Sequence, residues 1–271
     1  MSPPPKGAVP VPLRPSFREK IWGSTRLEPW YPASDVPIGE IWFESEQELP
    51  ILVKLLFTSD RLSVQVHPDD AYAGPNEGCR GKTEMWRILR ADPGAQIAIG
   101  LREPITPARL REAAMTGEIE RLLNWTEARP GDAIFIPPGT IHAIGPGLAI
   151  CEIQQFSDVT YRLYDYGRPR ELHLDKACAV SRLDPYRPPT GVPDGFLAYC
   201  PYFAAKEVHF ERLSEYRPSA AGFELLVIIE GGGWIAGRPY RGGQVWHVPA
   251  GAGPFTIAPN RPTKTLVTFV P

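Results

Sequence analysis

Apolar and polar residues alternate with a period of two along much of this chain, and glycine or proline interrupts the alternation every few positions. Glu40-Ile41-Trp42-Phe43, Ile51-Leu52-Val53-Lys54-Leu55-Leu56-Phe57, Leu62-Ser63-Val64-Gln65-Val66-His67, Trp86-Arg87-Ile88-Leu89 and Gln96-Ile97-Ala98-Ile99 all read as strands bounded by turn residues. Residues 133–136, 148–153, 160–164, 223–229, 244–248 and 265–270 continue the pattern. One segment departs from it. Thr106-Pro107 has the form of an N-cap followed by proline at the first helical position, and Leu110, Ala113, Ala114, Ile119, Leu122 and Leu123 supply an apolar face broken near Gly117. The expectation is a β protein with one short helical insert near 106–123.

Residues 182–195 carry too many prolines and glycines for a regular element and read as a linker. On either side the chain repeats itself faintly. Gly131, Pro137, Gly139 and His142 have the spacing G-x5-P-x-G-x2-H, while Gly243, Pro249 and Gly251 keep it with Pro254 in the place of the histidine. The reading is two β units, 1–181 and 196–271, the second keeping the turn geometry without the side chain that could bind a metal.

Composition narrows the class. With 32 prolines and 25 glycines in 271 residues, short strands and tight turns are expected throughout. Lys plus Arg number 29 against 31 Asp plus Glu, so no overall field draws the chain to nucleic acid or an anionic membrane. The start, Met1-Ser2-Pro3-Pro4-Pro5-Lys6, has no apolar signal region, and the apolar stretches around 51–57 and 225–229 are too short to span a bilayer; the expected location is cytoplasmic. Cys79, Cys151, Cys178 and Cys200 show no metal-site spacing and read as reduced thiols.

Four side chains could close on one metal ion: Gln65, His67, Glu84 and His142. Gln65 and His67 are two apart on a strand and share a face, which in a closed barrel is the interior. Two imidazoles, a carboxylate and an amide oxygen suit a borderline cation such as Zn²⁺ with a position left open. Lys82 lies two before Glu84, and a cavity holding both a cation and a lysine wants an anion. His173, His209 and His247 read as hydrogen-bonded core or surface residues.

The G-x5-P-x-G-x2-H turn with its upstream histidine strand resembles the cupin barrel. Leu62-Ser63-Val64-Gln65-Val66-His67-Pro68-Asp69-Asp70, Gly81-Lys82-Thr83-Glu84-Met85-Trp86, Pro138-Gly139-Thr140-Ile141-His142-Ala143-Ile144-Gly145 and Asp158-Val159-Thr160-Tyr161-Arg162-Leu163-Tyr164-Asp165-Tyr166 resemble the short bacterial type of mannose-6-phosphate isomerase, over about residues 12 to 178. The resemblance implies an all-β tandem cupin of two jelly-roll barrels. It also implies one Zn²⁺ per chain held by Gln65, His67, Glu84 and His142, and interconversion of mannose 6-phosphate and fructose 6-phosphate through an enediol. Arg162 matches the family's catalytic arginine, with pairing to Asp158 or Asp165 as the structural alternative. Ser63, Lys82 and Arg168 match phosphate-facing positions, and Lys82 is open to a role in proton transfer. Lys82, a metal-bound water and Asp158 all stand as candidates for the general base. Tyr161, Tyr164 and Tyr166 line the sugar pocket or belong to the core. The expected partner is a small phosphorylated sugar, and the expected state monomer or homodimer.

The chain departs from the family between Trp42 and Lys54, where relatives carry a helical insertion and this chain has only Phe43-Glu44-Ser45-Glu46-Gln47-Glu48-Leu49-Pro50. Two alternatives therefore stand: isomerisation of a related phosphosugar, and a non-catalytic cupin that binds a sugar phosphate. An iron-dependent cupin oxygenase fits less well, because such sites use more imidazoles and no glutamine amide.

Overall fold

The computed structural model describes residues 8–219 and 222–271. Its strands form three antiparallel sheets. A six-stranded sheet runs in the order Arg14–Ser24, Ile38–Glu44, Ile51–Phe57, Leu148–Gln155, Glu84–Ala91, Ala133–Ile136, and a five-stranded sheet in the order Tyr161–Tyr164, Val64–Val66, His142–Ile144, Gln96–Leu101, Leu123–Glu127. The third sheet runs Val11–Pro12, Val245–Val248, Glu224–Ile235, Phe255–Phe269, Ala204–Phe210, Ala198–Tyr199, with Ser214–Tyr216 and Arg238–Arg241 paired beside it.

The period of two decides which face each residue occupies. From the six-stranded sheet, Ile41, Phe43, Val53, Leu55, Phe57 and Ile153 form one buried cluster with Leu225, Val227, Ile229, Val245 and Leu266 of the third sheet. On the opposite face, Leu56, Trp86, Ile88 and Ile150 meet Ile97, Ile99 and Ile144 of the five-stranded sheet, so these two sheets enclose the first barrel. The far side of the five-stranded sheet, with Val64, Val66, Ala98, Ala143 and Leu163, is sealed by Leu110, Ala113 and Ala114 of the helix Pro107–Thr116. The third sheet closes a cluster of its own around Leu226, Ile228, Trp246, Val248 and Val267. Each of these aliphatic side chains contributes ~1.5–3 kcal/mol by leaving water, which makes the alternation a strong constraint on register.

Every expected strand is present and the architecture is all-β. The insert is the expected helix, Pro107–Thr116, followed by Ile119–Leu122, with Thr106 Oγ1 accepting from Arg109 N at 3.2 Å and Gly117 at φ 79° forming the break, but Leu123, read as the end of the helical face, instead opens the strand Leu123–Glu127. Two further helices, Asp70–Glu77 and Leu174–Val180, correct the expectation of a single excursion. The first was hidden because Pro75 reads as a breaker, yet Asp69 caps the helix from Tyr72 N at 2.9 Å and Gly78 ends it at φ 67°. The strand Arg14–Ser24 was also unforeseen, since it starts with exposed charge and proline at the edge of its sheet.

The sequence repeat has a backbone counterpart. Gly131 and Gly243 have φ of 97° and 86°, and Gly139 and Gly251 have 81° and 74°, so both copies use the same left-handed positions. Residues 182–195 are irregular but not free of the body: Pro185 bridges to Leu101, and the Tyr186 hydroxyl donates to Phe135 O at 2.6 Å. Val11–Pro12 pairs with Val245–Val248, so the third sheet draws one strand from the beginning of the chain. No helix among the described residues is long and apolar enough to cross a membrane.

Candidate active site

Strand register brings the site together. His142 lies opposite Gln65 across one ladder, and Arg162 lies opposite Gln65 across the other. Glu84 opens its strand opposite Gln154, on the facing sheet. His67, Glu84 and His142 are each almost fully buried, and one ligand atom from each lies within 4.8 Å of the others.

Hydrogen bonds fix the imidazole tautomers. His67 Nδ1 stands 2.9 Å from Val159 O, and His142 Nδ1 stands 2.9 Å from Thr140 O. A carbonyl only accepts, so both Nδ1 atoms carry the proton and both Nε2 lone pairs face inward. His67 Nε2 is 3.3 Å from Glu84 Oε1, and His142 Nε2 is 3.8 Å from Glu84 Oε2. Lys82 Nζ stands 2.8 Å from Glu84 Oε1, an ion-pair distance, yet neither buried carboxylate oxygen has an aligned hydrogen bond. Two ring lone pairs and a buried carboxylate thus converge in a dry pocket, with Lys82 as the one full charge against Glu84, a donor set that fits a divalent cation. Gln65 adds its amide, 3.3 Å from His142 Nε2 and 3.2 Å from Ser63 Oγ. The oxygen and nitrogen of that amide exchange places by a simple flip, so a carbonyl oxygen is available to the same centre.

Electrostatics follow from burial. Burial, with Lys82 next, pushes His67 down from 6.5 to about 3, and burial lowers His142 as well. Burial works to raise Glu84, but Lys82 and then His67 hold it well below the usual carboxylate range. Burial works against the charge on Lys82, and Glu84 followed by Glu152 outweigh it, so Lys82 stays protonated. In the metal-free protein the unfolded chain therefore holds more protons than the folded one between pH 6.5 and about 3, through His67 with His142 adding in the same sense. Stability should fall as pH drops through this window. Glu152, raised above its ordinary 4.5, opposes the trend, while Glu84, held well below it, adds to the trend at the acid end. The expected result is a urea midpoint that falls from pH 6.5 to about 5 in chelated protein, with a flatter slope for His67→Gln.

A cavity of about 270 Å³ opens beside this cluster, lined among others by Ser63, Gln65, Lys82, Asp158 and Arg162. Sequence reasoning missed several of its charged walls: Lys20, Glu40, Lys54, Glu152, Arg170 and His173. Lys54 and Glu152 are 3.4 Å apart and buried, and Glu152 Oε2 accepts from Trp86 Nε1 at 2.9 Å. A usable signal existed, because each is a lone charge inside an otherwise apolar strand, and such charges are almost never buried unpaired. His173 is hydrogen-bonded, its Nδ1 accepting from Arg162 N at 3.2 Å, and it also reaches the cavity wall. Arg168 stands apart, bound to Asp165 at 2.7 Å, Arg61 O at 2.8 Å and Asp60 at 3.3 Å, and does not line the cavity. Tyr161 and Tyr164 pack in the cluster beneath the five-stranded sheet, and Tyr166 packs against it too. His209 is exposed beside Glu207, and His247 lies on the third sheet.

No protein-family model matches the chain. The mannose-6-phosphate isomerase ManA of Bacillus subtilis is 32% identical over 311 aligned positions, covering 92% of this chain and 95% of the relative. The chain belongs to the mannose-6-phosphate isomerase family. A second member, the mannose-6-phosphate isomerase of Streptococcus mutans, is 36% identical over 216 positions, 64% of this chain and 68% of its own length. The crystal structure of the Bacillus subtilis mannose 6-phosphate isomerase superposes with a TM-score of 0.84 at 30% identity, over 97% of this chain and 100% of that one. This member of the family is an enzyme, and an isomerase, on a cupin-type fold. Its 271 residues are fewer than the 311 positions of the ManA alignment, so ManA carries residues opposite gaps here. Residues 45–50, where an insertion was expected to be missing, form a short connection without a helix.

Proposed function

We propose that the chain interconverts mannose 6-phosphate and fructose 6-phosphate in the 270 Å³ cavity, with a Zn²⁺ held by Gln65, His67, Glu84 and His142. The observation that carries this reading is the convergence of two inward Nε2 lone pairs and the buried Glu84 carboxylate at the wall of a cation-rich cavity, in a chain of this family. Five cationic side chains, Lys20, Lys54, Lys82, Arg162 and Arg170, line the cavity against Glu40, Glu152 and Asp158, which suits an anionic sugar.

When bound, the Zn²⁺ supplies Lewis-acid polarisation of a sugar oxygen. The chain's own residues supply the rest. Lys82, kept protonated, serves as a fixed positive charge beside the oxygen on which negative charge develops, and is a poor base at neutral pH. Glu152 is the better base: it is buried, and burial, with Glu84 next, raises its pKa towards the range where a carboxylate both takes and returns a proton. It accepts the C2 proton of the open-chain aldose. The electron pair left at C2 forms the C1=C2 bond as the C1 oxygen gains a proton, giving the enediol. Return of the proton to C1, with loss of the O2 proton, gives the ketose. Arg162 and Arg170 hold the phosphoryl end, Arg170 being aimed by two 2.6 Å bonds to the buried Asp165.

The deciding test is a coupled assay of fructose 6-phosphate formation with metal content determined, before and after chelation and after zinc return. Turnover is expected to disappear with chelator and to come back with zinc. Bound zinc without turnover would move the function to a related phosphosugar or to non-catalytic sugar-phosphate binding.

A further inference from the structure

Lys82 and Glu84 approach the site along residues 78–83, which belong to no strand, and yet their backbone is held at three successive amides. Gly81 N donates to Asp70 Oδ1 at 2.7 Å, Lys82 N to Pro68 O at 2.9 Å, and Thr83 N to Gln155 Oε1 at 2.8 Å. Gln155 is itself buried and spends both ends of its side-chain amide, Oε1 accepting from Thr83 N and Nε2 donating to Asp70 Oδ1 at 3.0 Å, while its backbone N donates to Thr83 O at 3.1 Å. Asp70 is therefore the common acceptor of a short chain that runs from Thr83 through Gln155 to the segment just after His67.

This carboxylate is not occupied with helix capping. Asp69 already caps the helix Asp70–Glu77 through Tyr72 N, and Asp70 turns its Oδ1 away to Gly81 and Gln155. The approach leaves no room for a side chain at position 81, where a Cβ would fall 2.4 Å from Asp69 C and 2.5 Å from Asp70 N. Tyr202, which follows the irregular segment and packs on the cluster beneath the third sheet, has its hydroxyl pKa raised by burial and then by the nearby Asp70 carboxylate.

We propose that Asp70 and Gln155 are positioning residues of the active site: by gripping the Gly81 and Thr83 amides they register Lys82 and Glu84 against His67, with Tyr202 bracing the Asp70 carboxylate from the C-terminal unit. The inference rests on the function proposed above. It adds to the shared core, which already includes Met85 beside Glu84, a contact from Tyr202 to the exposed Asp70.

The test compares wild type with Asp70→Ala, Asp70→Asn, Gln155→Ala and Tyr202→Phe. Three quantities are measured: amide hydrogen exchange in the metal-free protein, zinc affinity by chelator competition, and kcat and KM. Asp70→Ala should exchange at least about tenfold faster at Gly81 and Thr83, with the amides of Leu148–Ile153 unchanged. It should also bind zinc about tenfold more weakly and lose about tenfold in kcat at near-constant KM. Asp70→Asn should recover most of each loss, because its carbonyl still accepts from both donors. Gln155→Ala should resemble Asp70→Ala, and Tyr202→Phe should move the same amides less. A role in fold stability alone would lower the melting temperature without touching zinc affinity or kcat, and that pattern overturns the inference. So does wild-type exchange at Gly81 and Thr83 in Asp70→Ala. A wild-type protein with neither zinc binding nor turnover overturns the parent function instead, and the exchange result then stands as a finding about the backbone only.

Discussion

His142→Ala is expected to abolish metal binding and isomerase turnover together. The His142 ring is fully buried, edge-on to Trp86 at 5.4 Å between centroids, and its Nδ1 is tied to Thr140 O, so the Nε2 lone pair is aimed before any ion arrives. Removing it leaves Glu84 and His67 with one fewer lone pair to share a cation, and neither has a neighbour to replace it. Loss of groups that merely orient metal ligands costs about 10–100-fold in affinity or activity, so loss of a ligand should cost at least about 100-fold. Metal analysis of the purified protein and the coupled assay in added zinc read the two effects. A His142→Gln variant, which fills more of the space, guards against a simple failure to fold. Full turnover by a metal-free His142→Ala protein would end the proposed mechanism.

Glu152→Gln should be the clean counterpart, with metal retained and chemistry lost. Glutamine keeps the acceptor for Trp86 Nε1 and nearly the same volume, but it gives up the charge facing buried Lys54 and cannot take a proton from carbon, so a melting temperature is recorded beside kcat. Glu152 lies opposite Trp86 and Gln154 lies opposite Glu84, so the proposed base stands two residues, roughly 7 Å, along one face from a proposed metal ligand. A sugar seated on the metal centre reaches across that interval. General base catalysis contributes about 10²–10⁴-fold, and kcat should fall by that factor with zinc content unchanged. Solvent-hydrogen exchange into the substrate at C2 should fall with it. A variant with wild-type kcat would return the role to Asp158, which lines the same cavity.

Strands and turns were legible because their signals are local. Alternation in Leu62-Ser63-Val64-Gln65-Val66-His67, the cap at Thr106 and the glycines of the repeated turn each act over a few residues, and all of them appear in the structure. That Gln65 and His67 share a face was legible for a related reason, since period two puts them there whatever the rest of the chain does, while only the folded barrel brings Glu84 and His142 to His67. The strand Arg14–Ser24 and the helix Asp70–Glu77 were not, since one is stabilised by edge pairing with Ile38–Glu44 and the other by its caps against an internal proline.

What the amino-acid order determined by itself was most of the strands, the geometry of the repeated turns and the candidate donor chemistry of His67, Glu84 and His142, because backbone sterics and side-chain period are properties of neighbouring residues. Which charges share the cavity was decided only by tertiary structure. Lys54 and Glu152 are 98 positions apart and meet through the register of two strands, and Arg168 and Arg170, both bonded to Asp165, part company because Asp60 and the Arg61 carbonyl hold Arg168 away from the cavity. Burial then raises the Glu152 carboxyl and lowers the His67 and His142 imidazoles, and burial is a property of the closed barrel rather than of any segment within it.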